Sequence, residues 1–147
     1  MSMKPELTAA DARYLVNIDG RNHYALVATA AEPDGEAIIG VARYIRLRDR
    51  PDVAEFAIVV GDAWQRLGLA AELMGRLADA AVSQGVRRFC ATVLAENLGI
   101  RRVIEHLAAG PVEHRRDGNV LEVEFPLPTR EELAGAAPAM IAACAGS

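Results

Sequence analysis

One segment limits the fold of this chain more than any other: an apolar strand that turns directly into an amphipathic helix. Residues Val53–Val60 are apolar except for Glu55, a pattern typical of a strand in a sheet that is covered on both faces. After Gly61 the apolar residues recur every three or four positions, which predicts a helix that opens near Gly68 and ends before Gly85. A strand, a glycine-containing turn and a helix in this order indicate an α/β fold.

The remaining segments predict further strands and helices around this unit. Apolar stretches bounded by turn residues indicate strands at 23–31, 36–47, 86–94, 113–116 and 120–125. Helical spacing predicts a helix at 98–107, and capping patterns predict helices at 8–17 and at 129–144. Because no linker or repeat divides the sequence, we expect a single domain, 1–147, built on a mixed α/β sheet.

Composition and charge exclude several classes of protein. With 52% hydrophobic and 24% charged residues in 147, the chain is neither disordered nor of low complexity. A net charge of −4 argues against a dedicated nucleic-acid binder. Two cysteines and three dispersed histidines form no local metal motif. The longest apolar run, 136–145, is about half as long as a membrane span. We therefore expect a cytoplasmic protein without a metal, a nucleic-acid partner or a membrane contact.

The turn after Val60 has the features of an anion-binding loop. Backbone N–H groups at the start of a helix point toward a ligand, and the helix dipole favours negative charge there. Gly68 removes the side chain where such a ligand approaches, Ala70 keeps the next approach small, and Leu69 can anchor the helix by turning inward. The sequence has neither Gly-Lys-Ser/Thr nor Gly-x-Gly-x-x-Gly after a strand, which disfavours nucleoside triphosphates and dinucleotides as the ligand.

The pattern that does match is Gln65-x-x-Gly68-x-Ala70, and here the chain resembles the GNAT superfamily of acyl-CoA-dependent N-acyltransferases. The signature opens a helix after a strand, and Asn97 follows the next strand, as is frequent in that superfamily. The resemblance covers residues 20–126. It is strongest to the catalytic domain of Pat-type bacterial protein-lysine acetyltransferases, in the segments 19–27, 39–44, 54–60 and 94–97. It implies a mixed, mostly antiparallel sheet flanked by helices, here with a truncated N-terminal region and an added C-terminal helix.

The resemblance assigns roles to particular residues. Glu55 would be the general base, because an amine with a pKa of about 10.4 must lose a proton before it attacks a thioester. A strand glutamate paired with an arginine is the alternative. Asn97 would bind the pantetheine arm of acetyl-CoA or serve only as a helix N-cap, and Arg101 or Arg102 would reach the 3′-phosphate or remain solvated. The other expected contacts to acetyl-CoA are Ile58, Val59, Val60, Gln65, Arg66, Leu67, Gly68, Leu69, Ala70 and Ala71.

Two features depart from the superfamily. The predicted helix 98–107 lacks the tyrosine that protonates the leaving thiolate in many relatives. Only 22 residues precede His23, so the first strand and first helix of the superfamily are expected to be missing. The acceptor side would then be open, or covered by the C-terminal helix or by the second subunit of a homodimer.

Other reactive and charged residues have simpler interpretations. We expect Cys90 to be a small strand hydrophobe rather than an acyl-accepting nucleophile, and His23 to be a structural histidine with satisfied hydrogen bonds. In a strand, positions 44, 46 and 48 face the side opposite to 43, 45 and 47, so we expect the arginines at 43, 46, 48 and 50 not to form one contiguous basic patch.

The sequence thus predicts an N-acetyltransferase whose acceptor amine attacks acetyl-CoA directly in a ternary complex. A protein lysine is the favoured acceptor, and a small-molecule amine is the next candidate. A non-catalytic acyl-CoA-binding domain is the alternative from another class. The short N-terminal region and the missing tyrosine favour that alternative, whereas Glu55, Gln65, Gly68 and Asn97 oppose it.

Overall fold

The computed structural model describes residues 12–19, 22–61 and 68–129. These residues form one seven-stranded sheet with two helices. In chain order the elements are β1 Arg13–Asp19, β2 His23–Glu32, β3 Gly35–Arg46, β4 Val53–Val60, α1 Leu69–Ser83, β5 Arg88–Leu94, α2 Leu98–Leu107, β6 Glu113–Asp117 and β7 Val120–Pro126. The strand order is β1-β2-β3-β4-β5-β7-β6, and all neighbouring strands are antiparallel except β4 and β5, which are parallel. The expected mixed, mostly antiparallel sheet is confirmed.

The N-terminal segment differs from its prediction. The predicted helix over 8–17 is wrong from Arg13 onward, since this segment is β1 and pairs with β2 from Arg13↔Thr29 to Asp19↔His23; residues 8–11 lie outside the described residues. The capping pattern is a local signal, and the open edge of β2 outweighs it by supplying a full ladder of hydrogen bonds. The first strand is therefore present. Only residues 20–22 separate β1 from β2, so no helix lies between these two strands.

One face of the sheet carries the hydrophobic core. Helix α1 packs on β2, β3 and β4 and also contacts α2, and its Leu69, Leu73 and Leu77 are fully buried. A Cβ atom at Gly40 of β3 would lie 2.9 Å from Leu73 Cδ1, so the glycine lets α1 approach the sheet closely. Four buried aromatic rings extend this core across the sheet, at Tyr44, Phe56, Phe89 and Phe125.

The other face of the sheet is open in the part of the chain that the structure describes. Along β4 the alternate residues Glu55, Ala57 and Val59 are exposed, and Val59 is 71% exposed. The expectation that β4 is covered on both faces is therefore wrong for the described residues. An apolar strand sequence does not distinguish a side chain covered by protein from one that lines a cleft.

Candidate functional site

The parallel pairing of β4 and β5 covers only the first three residues of each strand. Their register runs from Val53↔Arg88 to Glu55↔Cys90, whereas β4 continues to Val60 and β5 to Leu94. Towards their carboxyl ends the two strands no longer pair with each other. A gap in the middle of a sheet leaves backbone groups directed at whatever enters it, so this break is a place where an extended ligand can bind.

Two hydrogen bonds at the ends of β4 fix which backbone groups face the break. Leu47 N–H donates to Val53 O at 2.9 Å, and Gly61 N–H donates to Ile39 O at 2.9 Å. The odd-numbered residues of β4 therefore direct their backbone groups toward β3, because alternate residues of a strand point the same way. The even-numbered residues direct theirs toward β5 and the break.

The three expected pantetheine contacts on β4 thus differ in what they can offer. Ile58 and Val60 direct backbone N–H and C=O groups toward the break. Val59 directs its backbone toward β3 and presents its exposed side chain on the open face. An added extended ligand would pair with the backbone of the even-numbered residues.

The N-terminus of α1 has no capping hydrogen bond from a side chain of its N-cap residue. Gly68 is its N-cap, with φ 79° in the left-handed region, which a glycine adopts without the penalty that a Cβ atom brings. The first hydrogen bond of the helix runs from Glu72 N–H to Gly68 O at 3.1 Å. The N–H groups of Leu69, Ala70 and Ala71 therefore have no acceptor within the helix. Leu69 is turned inward and fully buried, as expected.

Several sequence predictions fall on residues outside those described. Gln65, Arg66 and Leu67 are among them, so the anion-binding turn is described only from Gly68 onward. The C-terminal helix predicted over 129–144 lies outside the described residues beyond Thr129. These assignments stay predictions.

The Asn97 side chain caps the start of α2 with its amide oxygen. Asn97 Oδ1 accepts a hydrogen bond from Ile100 N–H at 3.1 Å, which is an N-cap. This cap leaves the Nδ2 donor of the same side chain for another acceptor. Arg101 Nη1 donates to Ala95 O at 3.0 Å and so ties α2 to the turn that precedes it, whereas Arg102 is exposed. The Arg101 guanidinium is therefore engaged with backbone, which does not favour a phosphate role.

Glu55 is the last residue of β4 that pairs with β5, and its side chain lies on the open face. It lines a cleft of about 430 Å³ together with Cys90, Thr92, Glu122 and Glu124. Glu55 is exposed among the described residues, and most of the side chains that line the cleft are charged or polar. Among the described residues Glu55 forms no ion pair, so the alternative of a strand glutamate held by an arginine has no support there.

A second carboxylate on the same face has the opposite surroundings, and the sequence analysis missed it. Arg50 donates to both oxygens of Glu124 at 2.8 Å, and Arg88 Nε donates to Glu124 Oε2 at 2.6 Å. Arg88 also pairs with Glu113 at 3.2 Å. Hydrogen bonding by Arg50, and then by Arg88, lowers the pKa of Glu124 to about 2 although burial opposes this shift. Glu124 is thus a permanent anion at neutral pH.

Cys90 lies between these two carboxylates in the register, opposite both Glu55 and Glu124. Burial raises the pKa of the Cys90 thiol, and the charges of Glu55 and Glu124 raise it further. A thiol of this kind stays protonated at neutral pH, and only the thiolate is a strong nucleophile. The surroundings agree with the expectation that Cys90 is not an acyl carrier.

The other residues set aside in the sequence analysis have mixed outcomes. The Nε2 atom of His23 is buried without a hydrogen-bond partner among the described residues, so the expected satisfied histidine is wrong at this atom. Arg46 donates to Pro51 O and Gln84 O, and Arg50 pairs with Glu124. Arg46 and Arg50 thus make separate internal contacts, and the expectation that the four arginines do not form one basic patch stays a prediction for Arg43 and Arg48.

Two further findings, on membrane spans and metal sites, concern the part of the chain that the structure describes. No described helix is both long and apolar enough to cross a membrane. No group of three or more histidine, cysteine, aspartate or glutamate side chains is placed there to hold a metal ion.

A sheet broken between two parallel strands, with a helix N-terminus following the first of them, defines the class of acyl-CoA N-acyltransferase folds. The acetyltransferase (GNAT) family model matches residues 3–108, and the chain belongs to this family. It is 36% identical over 121 residues to acetyltransferase Pat of Mycolicibacterium smegmatis, covering 82% of this chain and 35% of that protein. The chain therefore spans about a third of the length of this curated relative.

Solved structures give the same family. A cAMP-binding acyltransferase from Mycobacterium smegmatis matches with a TM-score of 0.64 at 32% identity, covering 78% of this chain and 34% of that one. The GNAT domain of S. lividans PAT matches with a TM-score of 0.60 at 32% identity, covering 76% of this chain and 64% of that one. The resemblance to Pat-type catalytic domains is thereby confirmed.

Proposed function

We propose that this chain transfers an acetyl group from acetyl-CoA to a primary amine, with a protein lysine as the favoured acceptor. The observation that carries the proposal is the break between β4 and β5, with Glu55 at its closed end and α1 starting just beyond β4. Membership of the GNAT family supports the use of an acyl-CoA donor. A cytoplasmic location and a homodimer stay predictions.

The donor would lie along the break. The backbone of Ile58 would pair with the pantetheine arm as a neighbouring strand does. Val60 would lie beside the same arm, and Asn97 Nδ2 would donate to it. The free N–H groups of Leu69, Ala70 and Ala71 would face the pyrophosphate at the positive end of α1. No contact in this arrangement requires the side chain of Arg101.

The chemical step would be a direct transfer in a ternary complex. Glu55 would take a proton from the acceptor ammonium, either directly or through one water. The neutral nitrogen would form a bond to the thioester carbonyl carbon, and the carbon–sulfur bond would break. The electron pair would leave with sulfur, and the nitrogen would release its second proton to solvent as the amide forms. Solvent would also protonate the thiolate, because α2 carries no tyrosine. The high pKa of the Cys90 thiol supports direct attack over a cysteine-bound acyl group.

Two observations support a protein lysine as the acceptor. The chain is similar to Pat-type acetyltransferases, and no helix separates β1 from β2 to wall the acceptor side. An open cleft admits a side chain that projects from a folded protein, whereas a small amine gains little from an open site. A small-molecule amine is the second acceptor class.

The proposed base is tested by Glu55→Gln, with Glu105→Gln on the exposed side of α2 as the matched control. We expect wild type and control to release CoA only when an acceptor is present. Glu55→Gln should bind acetyl-CoA with unchanged Kd but release CoA at least about 100-fold more slowly, the typical contribution of a general base. Mass spectrometry of cell extract incubated with acetyl-CoA would identify the acetylated products.

Two outcomes would contradict the proposal in different ways. A Glu55→Gln variant as fast as wild type would remove Glu55 from the mechanism. A wild-type chain that binds acetyl-CoA but transfers nothing to a broad panel of amines and proteins would instead favour the non-catalytic acyl-CoA-binding domain. Two observations favour this second candidate: Glu55 is exposed among the described residues, and α2 has no tyrosine.

A further inference from the structure

The open face of the sheet carries two carboxylates in one row, separated by one strand. Glu55 of β4 lies opposite Cys90 of β5, which lies opposite Glu124 of β7. Since neighbouring strands are about 4.8 Å apart, the backbones at Glu55 and Glu124 are roughly 10 Å apart. Any cation placed over Cys90 would therefore have a carboxylate on either side.

Arg50 is such a cation. Its carbonyl oxygen accepts a hydrogen bond from Val53 N–H at 2.9 Å, which fixes the Arg50 backbone beside the first residue of β4. Its guanidinium forms the two parallel hydrogen bonds to Glu124, both at 2.8 Å. Because Glu124 pairs with Cys90 in the register, a guanidinium bonded to Glu124 lies next to β5, the strand between Glu124 and Glu55.

The two carboxylates of this row differ in the number of ion pairs that they form. Glu124 holds both Arg50 and Arg88, whereas Glu55 forms no ion pair within the described ranges. A paired guanidinium would occupy the carboxylate oxygens of Glu55 and favour their charged form. Either effect would weaken Glu55 as a proton acceptor.

We infer that Glu124 is a positioning residue that draws the Arg50 guanidinium away from Glu55 and so keeps Glu55 free to accept a proton. This inference rests on the proposed role of Glu55 as general base. Glu124 itself touches no reacting atom in this arrangement. Arg88 adds a third hydrogen bond, to the Oε2 atom of Glu124 that Arg50 also contacts.

The test is a charge-release experiment with Glu124→Gln, Arg50→Gln and the double variant. In Glu124→Gln the Arg50 guanidinium loses its bidentate partner, and we expect it to pair with Glu55. The acid limb of the kcat profile should then move about one pH unit lower, the smallest shift typical of a carboxylate beside an arginine. The kcat value should fall roughly tenfold, while the KM of the amine stays within about twofold. The double variant should regain kcat and the pH profile.

The matched control is Glu36→Gln on β3, an exposed glutamate that pairs with Arg13 at 3.6 Å and does not line the cleft. Its acid limb should not move. Because Glu124→Gln could disturb folding, Glu124→Asp provides a second variant that keeps the charge but shortens the reach, and thermal melting of each variant checks that it is folded. We expect Glu124→Asp to show a smaller shift in the same direction.

The outcomes separate the inference from the proposed function. A loss of rate that Arg50→Gln does not rescue, or that leaves the pH profile unchanged, would overturn the positioning role. If Glu55→Gln is as fast as wild type, the role of Glu55 as general base fails, and if wild type transfers nothing to any acceptor, the proposed function fails. A crystal structure of Glu124→Gln distinguishes these cases without turnover, because the inference places the Arg50 guanidinium on the Glu55 carboxylate in that variant. An Arg50 side chain that stays away from Glu55 there would overturn the inference.

Discussion

At the scale of single residues, the same side-chain type serves two different purposes on one row of the sheet. Glu55 is exposed at a break in the backbone pairing, and Glu124 is enclosed by two guanidinium groups. Glu55 could be found from sequence because it is the only acidic residue in an apolar strand. Glu124 could not, because its arginine partners lie 74 and 36 positions away. Distant partners of this kind leave no periodic pattern in the sequence.

The ion pairs of Glu124 predict a dependence of stability on pH. The pKa of Glu124 in the folded state is about 2, below its ordinary value of 4.5. The stabilisation is therefore present above about pH 4.5 and is lost as the pH falls toward 2. After allowance for solvent screening we expect it to be about 1–2 kcal/mol.

Urea unfolding of wild type and Glu124→Gln between pH 7 and pH 2 measures this stabilisation. The two proteins should differ by about that amount at pH 7 and converge at the acid end, whereas Glu122→Gln should differ from wild type by no more than about 0.5 kcal/mol at any pH. A constant difference between wild type and Glu124→Gln over the whole range would contradict the assignment of the ion pairs as its cause.

At the scale of elements, local patterns predicted most strands and helices but not their partners. The helix Leu69–Ser83 and the helix Leu98–Leu107 agree with their apolar spacing, because each buries one face. The strand β1 was mistaken for a helix, because its conformation depends on pairing with β2, which no short pattern records. The break between β4 and β5 is likewise a property of two elements together.

The cap of α2 allows two roles of one side chain to be separated. Asn97 Oδ1 caps the helix, and its Nδ2 would donate to the donor molecule. Asn97→Ser retains a capping oxygen but removes the amide donor, so stability should change by less than about 0.5 kcal/mol while the Kd of acetyl-CoA rises several-fold. Asn97→Ala should raise the Kd similarly and also cost about 1 kcal/mol of stability. Calorimetric binding and thermal melting give both quantities, and equal acetyl-CoA affinity in all three proteins would leave Asn97 as a cap only.

At the scale of the whole molecule, the described residues cover the sheet on one face and leave the other face open. The open face includes a row of apolar residues across four strands, Leu15, Val27, Val41 and Val59, and the two end residues are 61% and 71% exposed. The acceptor side, expected to be open or covered by the C-terminal helix or a second subunit, stays a prediction. The first strand is present, and only the helical connection between β1 and β2 is absent from the described residues. An exposed apolar row next to a binding cleft indicates a surface that another segment or another molecule contacts.

The predicted C-terminal helix and a second subunit are the two proposed covers of this row, and truncation distinguishes them. Removal of residues 130–147 would expose the row if the segment of the same chain covers it. We then expect lower solubility, stronger binding of a hydrophobic dye, and partial recovery of solubility when Leu15→Lys is added to the truncated chain. If a second subunit covers the row, Leu15→Lys in the full chain should convert a dimer to a monomer in analytical ultracentrifugation, and truncation should not increase dye binding. A full chain that is monomeric, together with a truncated chain of unchanged solubility, dye binding and acetyl transfer, would contradict both covers and leave the row free for the acceptor.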